Sequence, residues 1–307
     1  DIEGLMNNVV SVCEFVKKKV IARGGDVNKE CLNIIKTVDG KSSFKCEDGD
    51  YWRCTVLIED GEAYENAVNG EVFEMTGKAF GEFLYMLEDF PVDSLCEVIP
   101  NFHNTPDRFE KFKIALKENI SKRKRACKPE VEFAFSCEKY VGKIVKMLAS
   151  GEIPTRVTHN DTKINNLLVD RNTGKALCVI DLDTIMKGSL LYDFGDGIRS
   201  GCNTALEDEP KLDLVHFDME MYEHFTKGFV EGVGKSLTQV EKDHLAYGAM
   251  LITFECGVRF LTDFLNGDVY FKTSYPEHNL IRCRTQFKLV KEMIERREEM
   301  EAIAKKY

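Results

Sequence analysis

The 307-residue sequence lacks several features that would assign it to a familiar class of protein. Its 11 cysteines are scattered and none belongs to a CxxC pair, which predicts reduced, mostly buried thiols rather than disulfides. The formal net charge of -10 argues against a broadly basic nucleic-acid-binding surface. We therefore expect a small molecule or nucleotide as the partner, and no nucleic acid.

The sequence also shows no apolar run near the roughly 20 residues that span a bilayer. It begins without a basic segment followed by a hydrophobic signal core. These absences predict a cytoplasmic protein that does not bind a membrane. Because Asp1 is not Met and a helical apolar pattern follows it at once, we expect that residues upstream of this chain are missing.

What is present is the composition of an ordinary globular protein, with 43% hydrophobic and 31% charged residues. A chain of this length is expected to form two lobes or domains. After the first helix, Cys31 to Thr37 and Tyr51 to Ile58 are predicted strands, and roughly Val68 to Phe90 is a predicted amphipathic helix. The later part is predicted to be mainly helical, with long patterns at 213–234, 238–265 and 278–306.

One β-hairpin interrupts the helical part. Two short apolar runs, Asn166 to Asp170 and Ala176 to Ile180, flank the turn sequence Asp-Arg-Asn-Thr-Gly that ends at Gly174. Asp, Asn and Gly are the residues that tight turns prefer. The hairpin therefore separates two groups of polar residues, one before it and one after it.

The first group is His159-Asn160-Asp161-Thr162-Lys163-Ile164-Asn165-Asn166. An aspartate followed by an asparagine five residues later has the spacing of the kinase catalytic loop, in which the aspartate is the base and the asparagine a metal ligand. On this pattern Asp161 is the predicted base and Asn166 a predicted magnesium ligand. His159 is predicted to buttress the loop, and Lys163 to approach the γ-phosphate of ATP.

The second group follows the hairpin, where the apolar run Val179-Ile180 leads into Asp181 and Asp183. If the strand continues, both carboxylates point to the same side. Asp181 is the first choice for a magnesium ligand, and Asp183 either shares the metal or begins the next turn. An aspartate at the end of a strand is ordinarily a turn or cap residue, so the ordered set of base, amide, hairpin and carboxylates is what favours a phosphoryl-transfer site.

This ordered set resembles the aminoglycoside phosphotransferase and choline kinase superfamily, and more narrowly the N-acetylhexosamine 1-kinases. The narrower resemblance extends over nearly the whole chain, through GLMNNV, DGDYWR, PNFHNTPDRF, VTHNDTKINN, CVIDLDTIMKG, YDFGDGIR and FECGVRFLTDFLNGDVYFK. It implies an α+β, protein-kinase-like fold with two lobes. The small β-sheet lobe would be truncated here to residues 1–60, and residues 61–307 would form the large, mainly helical lobe.

The resemblance further implies ATP and Mg²⁺ as cofactors and transfer of phosphate to the anomeric hydroxyl of GlcNAc or GalNAc. It points to Arg259 and Tyr270 as sugar-binding residues, although Arg259 could instead pair with an acidic neighbour and Tyr270 pack in the core. His103 and Asn104 border the sugar pocket or form a turn before Pro106. Asp193 and Asp196 are expected to brace the loops.

Part of the expected nucleotide site is missing. No Gly-rich phosphate hairpin precedes the first helix and no GxxxxGK[ST] string replaces it, while the hinge candidate Leu57-Ile58-Glu59 offers only backbone contacts to adenine. Three alternatives therefore stay open: an aminoglycoside- or choline-type phosphotransferase, a nucleotide-binding pseudokinase and a metal-dependent hydrolase. The oligomeric state is left open too.

Overall fold

The computed structural model of this chain describes residues 1–66 and 69–307. It begins with the predicted first helix, α1, at Ile2–Ala22. Asp1 caps this helix by accepting a hydrogen bond from the Gly4 N–H at 3.0 Å. Its apolar side chains recur every three or four residues and are buried, as Val9, Val12 and Val16 show.

Four short strands follow: β1 (Ile34–Ile35), β2 (Phe44–Lys45), β3 (Tyr51–Trp52) and β4 (Cys54–Thr55). β1 pairs with β4 and β2 pairs with β3, both antiparallel. The two long strands predicted from the sequence are thus wrong in extent, because the extended segment from Tyr51 to Thr55 changes its pairing partner at Arg53. The outward side chains of Phe44 and Trp52 are exposed.

The next strand, β5 (Gly61–Ala63), joins a second sheet with β7 (Leu167–Asp170) and β8 (Ala176–Val179) in the order β5-β7-β8. The predicted hairpin is therefore confirmed as β7 and β8. Asp170 closes its turn by accepting hydrogen bonds from the backbone N–H groups of Asn172 and Thr173. A third pairing, β6 (Arg156–Thr158) with β9 (Met186–Gly188), lies on the other side of the catalytic-loop segment. The domain boundary after residue 60 stays a prediction.

The predicted amphipathic helix is α2, at Gly70–Met86, and the predicted start at Val68 lies outside the described residues. It packs closely against α7 (Met219–Val233), because glycines at the contact let the two backbones approach. A Cβ added at Gly228 would overlap the carbonyl oxygen of Glu74. Phe73 and Phe225 fill the same interface with ring centroids 4.7 Å apart.

The other helices are α3 (Thr105–Glu118), α4 (Lys128–Ser136), α5 (Lys143–Ser150), α6 (Leu190–Gly201), α8 (Gln239–Asp243), α9 (Leu245–Asn266), α10 (His278–Glu295) and α11 (Arg297–Lys306). Of the three long helical patterns predicted near the end of the chain, the first is the single helix α7 and the other two are real but subdivided. Breaks at His244 and Arg296 separate α8 from α9 and α10 from α11.

Among the described residues, α9 is the one helix long and apolar enough to pass a test for a membrane span, with a mean hydropathy of 1.2 over its best window. The sequence expectation of no membrane-spanning run did not single out this helix. However, 83% of that window is buried within the fold, where α9 packs against α3, α6 and α10. The helix has the burial of a core element. Together these elements form the α+β, two-lobe, protein-kinase-like fold that the sequence predicted.

Candidate active site

The segment between β6 and β7 forms a loop that is fixed to α6 by a single buried carboxylate. Asp193 Oδ2 accepts the backbone N–H of His159 at 2.8 Å, and Oδ1 accepts that of Asn160 at 2.7 Å. Asn160 has a left-handed backbone, with φ of 65°, which is unfavourable for a residue other than glycine. Burial raises the pKa of the Asp193 carboxyl, while His159 and the two backbone N–H groups act to lower it. Asp193 thus holds a strained turn in place.

The His159 ring is enclosed and both of its nitrogens are occupied. Its Nδ1 accepts the backbone N–H of Asp161 at 3.2 Å, so Nε2 carries the proton and donates to the carbonyl oxygen of Ile180 at 2.8 Å. The ring packs edge-on against Phe80 with centroids 5.5 Å apart. His159 therefore connects the loop to the segment after β8 and has no ring nitrogen left for a substrate, as the sequence predicted for a buttress.

The Asp161 carboxylate lies between a cation and an amide. Lys163 Nζ is 2.6 Å from Oδ1, and Asn166 Nδ2 donates to Oδ2 at 3.0 Å and to the Asp161 carbonyl oxygen at 2.8 Å. Because the Asn166 amide nitrogen donates to Asp161, Oδ1 is the atom of this side chain that could act as a metal ligand. The predicted base and the first predicted metal ligand are thus in direct contact.

Asp181 is held next to the same loop by the hydrogen bonds of the preceding residue, Ile180. The Ile180 N–H donates to the Asn166 carbonyl oxygen at 2.9 Å, and the Ile180 carbonyl accepts from His159. The expectation that Asp181 and Asp183 point to one side of a continued strand is wrong, because β8 ends at Val179. Asp181 instead has a left-handed φ of 58° and begins a 3-10 turn.

Asp183 lies within this turn, Leu182–Thr184, and forms an ion pair with Arg53 from the N-terminal strands. Its carboxylate is therefore partly committed in this structure, whereas Asp181 is exposed. An amide oxygen and exposed carboxylates are the hard oxygen donors that Mg²⁺ prefers. Asn166 and Asp181 carry oxygen donors of this kind, and Asp183 would add another if Arg53 released it; magnesium binding by these residues stays a prediction.

A chain of alternating charges leads from the loop into the large lobe. Burial acts to lower the pKa of Lys163, but the Asp161 and Asp196 carboxylates raise it above its ordinary value. For Asp196, burial acts to raise the pKa, and the Arg199 and Lys163 charges more than offset this and lower it. Arg199 Nε contacts Asp196 at 2.8 Å and its Nη1 contacts Glu207 at 3.0 Å. Asp196 thus pairs with Arg199 and is also influenced by the Lys163 charge, which fits the predicted bracing role.

A cleft of about 750 Å³ opens beside Lys163. Its walls come from the catalytic loop, from α6 and α10, and from the loop around Glu207. Neutral polar side chains lining it are Asn66, Asn165, Ser200, Asn203, Thr204 and Gln286, and its charged residues include Glu65, Lys163, Arg199, Glu207 and Glu209. Sequence reasoning missed Asn165, Arg199 and Gln286 as cleft residues, and only the position of Asn165 beside Asn166 could have indicated one of them.

Arg259 and Tyr270 lie together in a separate hollow of about 130 Å³ that also contains Arg108 and Phe271. The Arg259 guanidinium lies 5.9 Å from the Tyr270 ring centroid and 5.5 Å from that of Phe271. Tyr270 is 70% exposed, so the alternative that it packs in the core is wrong. None of the residues lining this hollow comes from the catalytic loop.

Arg259 and the cleft residue Arg199 both act on one buried thiol. The Cys256 thiol, on the same helix, is close enough to both Arg199 and Arg259 that each lowers its pKa. Burial is the larger effect and raises that pKa to about 11.

His103 and Asn104 lie in a third depression, of about 240 Å³, which also borders Asn160. His103 Nδ1 is 2.8 Å from the buried Glu255 carboxylate. Burial acts to raise the pKa of Glu255, but the contacts with His103 and Thr105 bring it below its ordinary value. Asn104 caps α3 by accepting a hydrogen bond from the Asp107 N–H at 3.1 Å. This contact agrees with the alternative that Asn104 belongs to the turn before Pro106.

The hinge candidate precedes β5. Leu57 is 81% exposed, whereas Ile58 is buried and its carbonyl oxygen accepts the Gly61 N–H at 3.4 Å. The Leu57 and Glu59 backbones remain the positions available for adenine, and their role stays a prediction.

Comparison with known proteins agrees with this geometry. The model of the phosphotransferase enzyme family abbreviated APH matches residues 47–223, more than half of the chain, including the catalytic loop and the carboxylates after the hairpin. The chain belongs to this phosphotransferase family. The match covers Asp161, Asn166 and Asp181, but it does not reach Arg259 and Tyr270.

Solved structures of this phosphotransferase's fold include the microcompartment-associated aminopropanol kinase, with 13% identity, a TM-score of 0.64 and coverage of 97% of this chain and 82% of that one. Spectinomycin phosphotransferase in complex with ADP and spectinomycin shares 15% identity, with a TM-score of 0.56 and coverage of 93% and 82%. A Plasmodium vivax ethanolamine kinase shares 11%, with a TM-score of 0.52 and coverage of 91% and 71%. At these identities the likeness supports the fold alone.

Proposed function

We propose that this phosphotransferase transfers the γ-phosphate of ATP to the anomeric hydroxyl of an N-acetylhexosamine, giving the sugar 1-phosphate and ADP. The Asp161 carboxylate carries this proposal, since Lys163 and Asn166 hold it in one orientation and Lys163 itself lines a cleft. In the reaction, Asp161 would accept the proton of the sugar hydroxyl. The sugar oxygen would bond to the γ-phosphorus while the bond from that phosphorus to ADP breaks.

An anomeric hydroxyl suits this base because it is more acidic than an ordinary alcohol. Asp161 would also orient the hydroxyl in line with the phosphate, so that positioning supplies much of the acceleration. Lys163 would leave Asp161 for the γ-phosphate when ATP binds, which frees one carboxylate oxygen for the acceptor. Magnesium, when bound, would neutralise phosphate charge; Asn166 and Asp181 would hold it, with Asp183 in addition.

Two observations support the sugar as acceptor. The first is the resemblance to N-acetylhexosamine 1-kinases along the chain. On this resemblance, the sugar contacts would be Arg259, Tyr270, His103 and Asn104. The second is the cleft beside Lys163, where neutral amide and hydroxyl side chains outnumber charged ones. Such groups match the hydroxyl-rich edge of a neutral sugar.

A cationic amino alcohol is the second candidate, favoured by the carboxylates of Glu65, Glu207 and Glu209 in the same cleft. Glu207 is already paired with Arg199, which weakens this attraction. The fold neighbours act, by their names, on aminopropanol, ethanolamine or an aminoglycoside.

ADP release measured with this chain, Mg·ATP and each acceptor in turn separates the two candidates. The panel would contain GlcNAc, GalNAc, aminopropanol, ethanolamine and spectinomycin, and ³¹P NMR would identify an anomeric phosphate. We expect release with GlcNAc or GalNAc and none above background with Asp161→Asn. Turnover of the amino alcohols alone would reject the sugar.

A further inference from the structure

The cleft beside Lys163 contains two buried oxygens that lack hydrogen-bond donors among residues 1–66 and 69–307. They are Asn165 Oδ1, one residue before the predicted metal ligand, and Gln286 Oε1 on α10. Gln286 is only 1% exposed overall. A buried carbonyl oxygen without a donor is costly, so such a group is ordinarily satisfied by water or by a ligand.

Helix packing holds Gln286 at the floor of the cleft. α10 approaches α9 closely at Gly257, where an added Cβ would lie 3.1 Å from the Gln286 Cβ and 2.6 Å from the Phe287 ring. Thr285 ties α10 to the cleft wall, because its hydroxyl donates to the Glu207 carbonyl oxygen at 2.5 Å. The amide is therefore presented by a rigid element, as a recognition group requires.

The two cations around these oxygens are already paired with carboxylates. Lys163 contacts Asp161, and Arg199 contacts Asp196 and Glu207. The amide oxygens of Asn165 and Gln286 are therefore left as acceptors for a ligand. A ligand with O–H or N–H donors fits these two acceptors, and a volume of about 750 Å³ lies in the range of small-molecule sites.

We propose that Asn165 and Gln286 recognise the phosphoryl acceptor by accepting hydrogen bonds from hydroxyl or amide N–H groups remote from the reacting hydroxyl. This inference rests on the proposed kinase function and refines it to an acceptor with at least two such donors. Asn165 is placed by the catalytic loop itself, so its contact would link acceptor recognition to the position of Asn166.

The test compares wild type with Gln286→Met, which keeps the length of the side chain but removes its hydrogen-bonding groups, and with Gln286→Glu, which keeps an acceptor oxygen. Exposed Gln239, which donates a hydrogen bond to Asp243 on the surface, provides the matched control Gln239→Met. Steady-state kinetics would be measured with GlcNAc and its 3-, 4- and 6-deoxy analogues, and acceptor binding by calorimetry in the absence of ATP.

For Gln286→Met we expect the acceptor KM to rise about ten-fold, as the loss of one buried hydrogen bond predicts, while the KM for ATP stays within about two-fold. The loss should disappear with the one deoxy analogue that lacks the contacted hydroxyl. Gln286→Glu should recover part of it, and Gln239→Met should match wild type. Asn165→Leu should show the same pattern with a different analogue.

An unchanged acceptor KM and calorimetric affinity in both Gln286→Met and Asn165→Leu would overturn the inference and leave the sugar kinase proposal intact. If wild type turns over only an amino alcohol, the sugar is rejected and the same variants would be measured with that alcohol. An unchanged acceptor KM and affinity for the alcohol would then overturn the role of the two amides. No calorimetric binding of any acceptor by wild type would overturn the inference outright.

Discussion

Replacing Asp193 with asparagine tests whether one buried carboxylate holds the catalytic loop. Asp193 accepts two backbone N–H groups at 2.8 and 2.7 Å, from His159 and Asn160. Asparagine keeps the shape, but its NH₂ group faces one of these donors, so one hydrogen bond is lost and the other loses its charge assistance. Since a hydrogen bond to a charged group contributes about 1.5–3 kcal/mol, we expect Asp193→Asn to lower the free energy of unfolding by roughly 2–4 kcal/mol.

For a chain of this size that loss corresponds to a fall in melting temperature of roughly 4–8 °C. The left-handed turn at Asn160 would also relax, moving Asp161 away from its working position, so we expect kcat to fall at least about ten-fold. Differential scanning fluorimetry and coupled ADP release would measure the two effects. The control is Asp213→Asn, at an exposed position. Wild-type stability and activity in Asp193→Asn would refute the role given to this carboxylate.

Three further outcomes follow from the geometry. Asp181→Asn should weaken the apparent affinity for Mg²⁺·ATP about ten-fold or more, and an unchanged magnesium titration would remove Asp181 from the site. The pKa of Asp196 is held below its ordinary value, because two neighbouring cations outweigh the effect of burial. The ionised carboxylate therefore stabilises the folded chain above the unfolded-chain pKa of about 3.9, and this stabilisation is lost as the pH falls through the lower folded value. Asp196→Asn should accordingly flatten the dependence of unfolding free energy on pH below about pH 4. Gly228→Ala should destabilise the chain by about 1–3 kcal/mol in denaturant unfolding, since the new methyl overlaps the Glu74 carbonyl, whereas Gly142→Ala, with the nearest atom 3.5 Å away on a flexible lysine, should not.

Local sequence patterns predicted those parts of the site that lie close together along the chain. The spacing of Asp161 and Asn166 and the turn residues of the β7–β8 hairpin specify conformations within a few residues, so the contact between base and amide and the hairpin were both predictable. The direction of Asp181 was not, because its left-handed backbone depends on where β8 ends. Gln286 was invisible to pattern reasoning, since its place in the cleft comes from the approach of α10 to Gly257.

The same limit explains the errors in the fold. Apolar runs such as Tyr51 to Ile58 favour extended chain, but their pairing depends on distant segments, and the partner changes at Arg53. The length and hydropathy of α9 are compatible with either a membrane span or a core helix, and only packing distinguishes the two. Sequence resemblance proposed Arg259 and Tyr270 as sugar contacts; the structure places them together in a hollow that no catalytic-loop residue lines, and their role stays a prediction.

Single-turnover phosphoryl transfer in Asp161→Asn is the most direct test of the role of this carboxylate. With Mg·ATP and a saturating acceptor, the transfer rate should fall by about 10²–10⁴-fold, the range that general-base catalysis contributes. Binding of Mg·ATP and the melting temperature should stay close to those of wild type, because Asn166 and Asp181 are untouched. A variant that transfers phosphate at a near wild-type rate would contradict the assignment of Asp161 as the base.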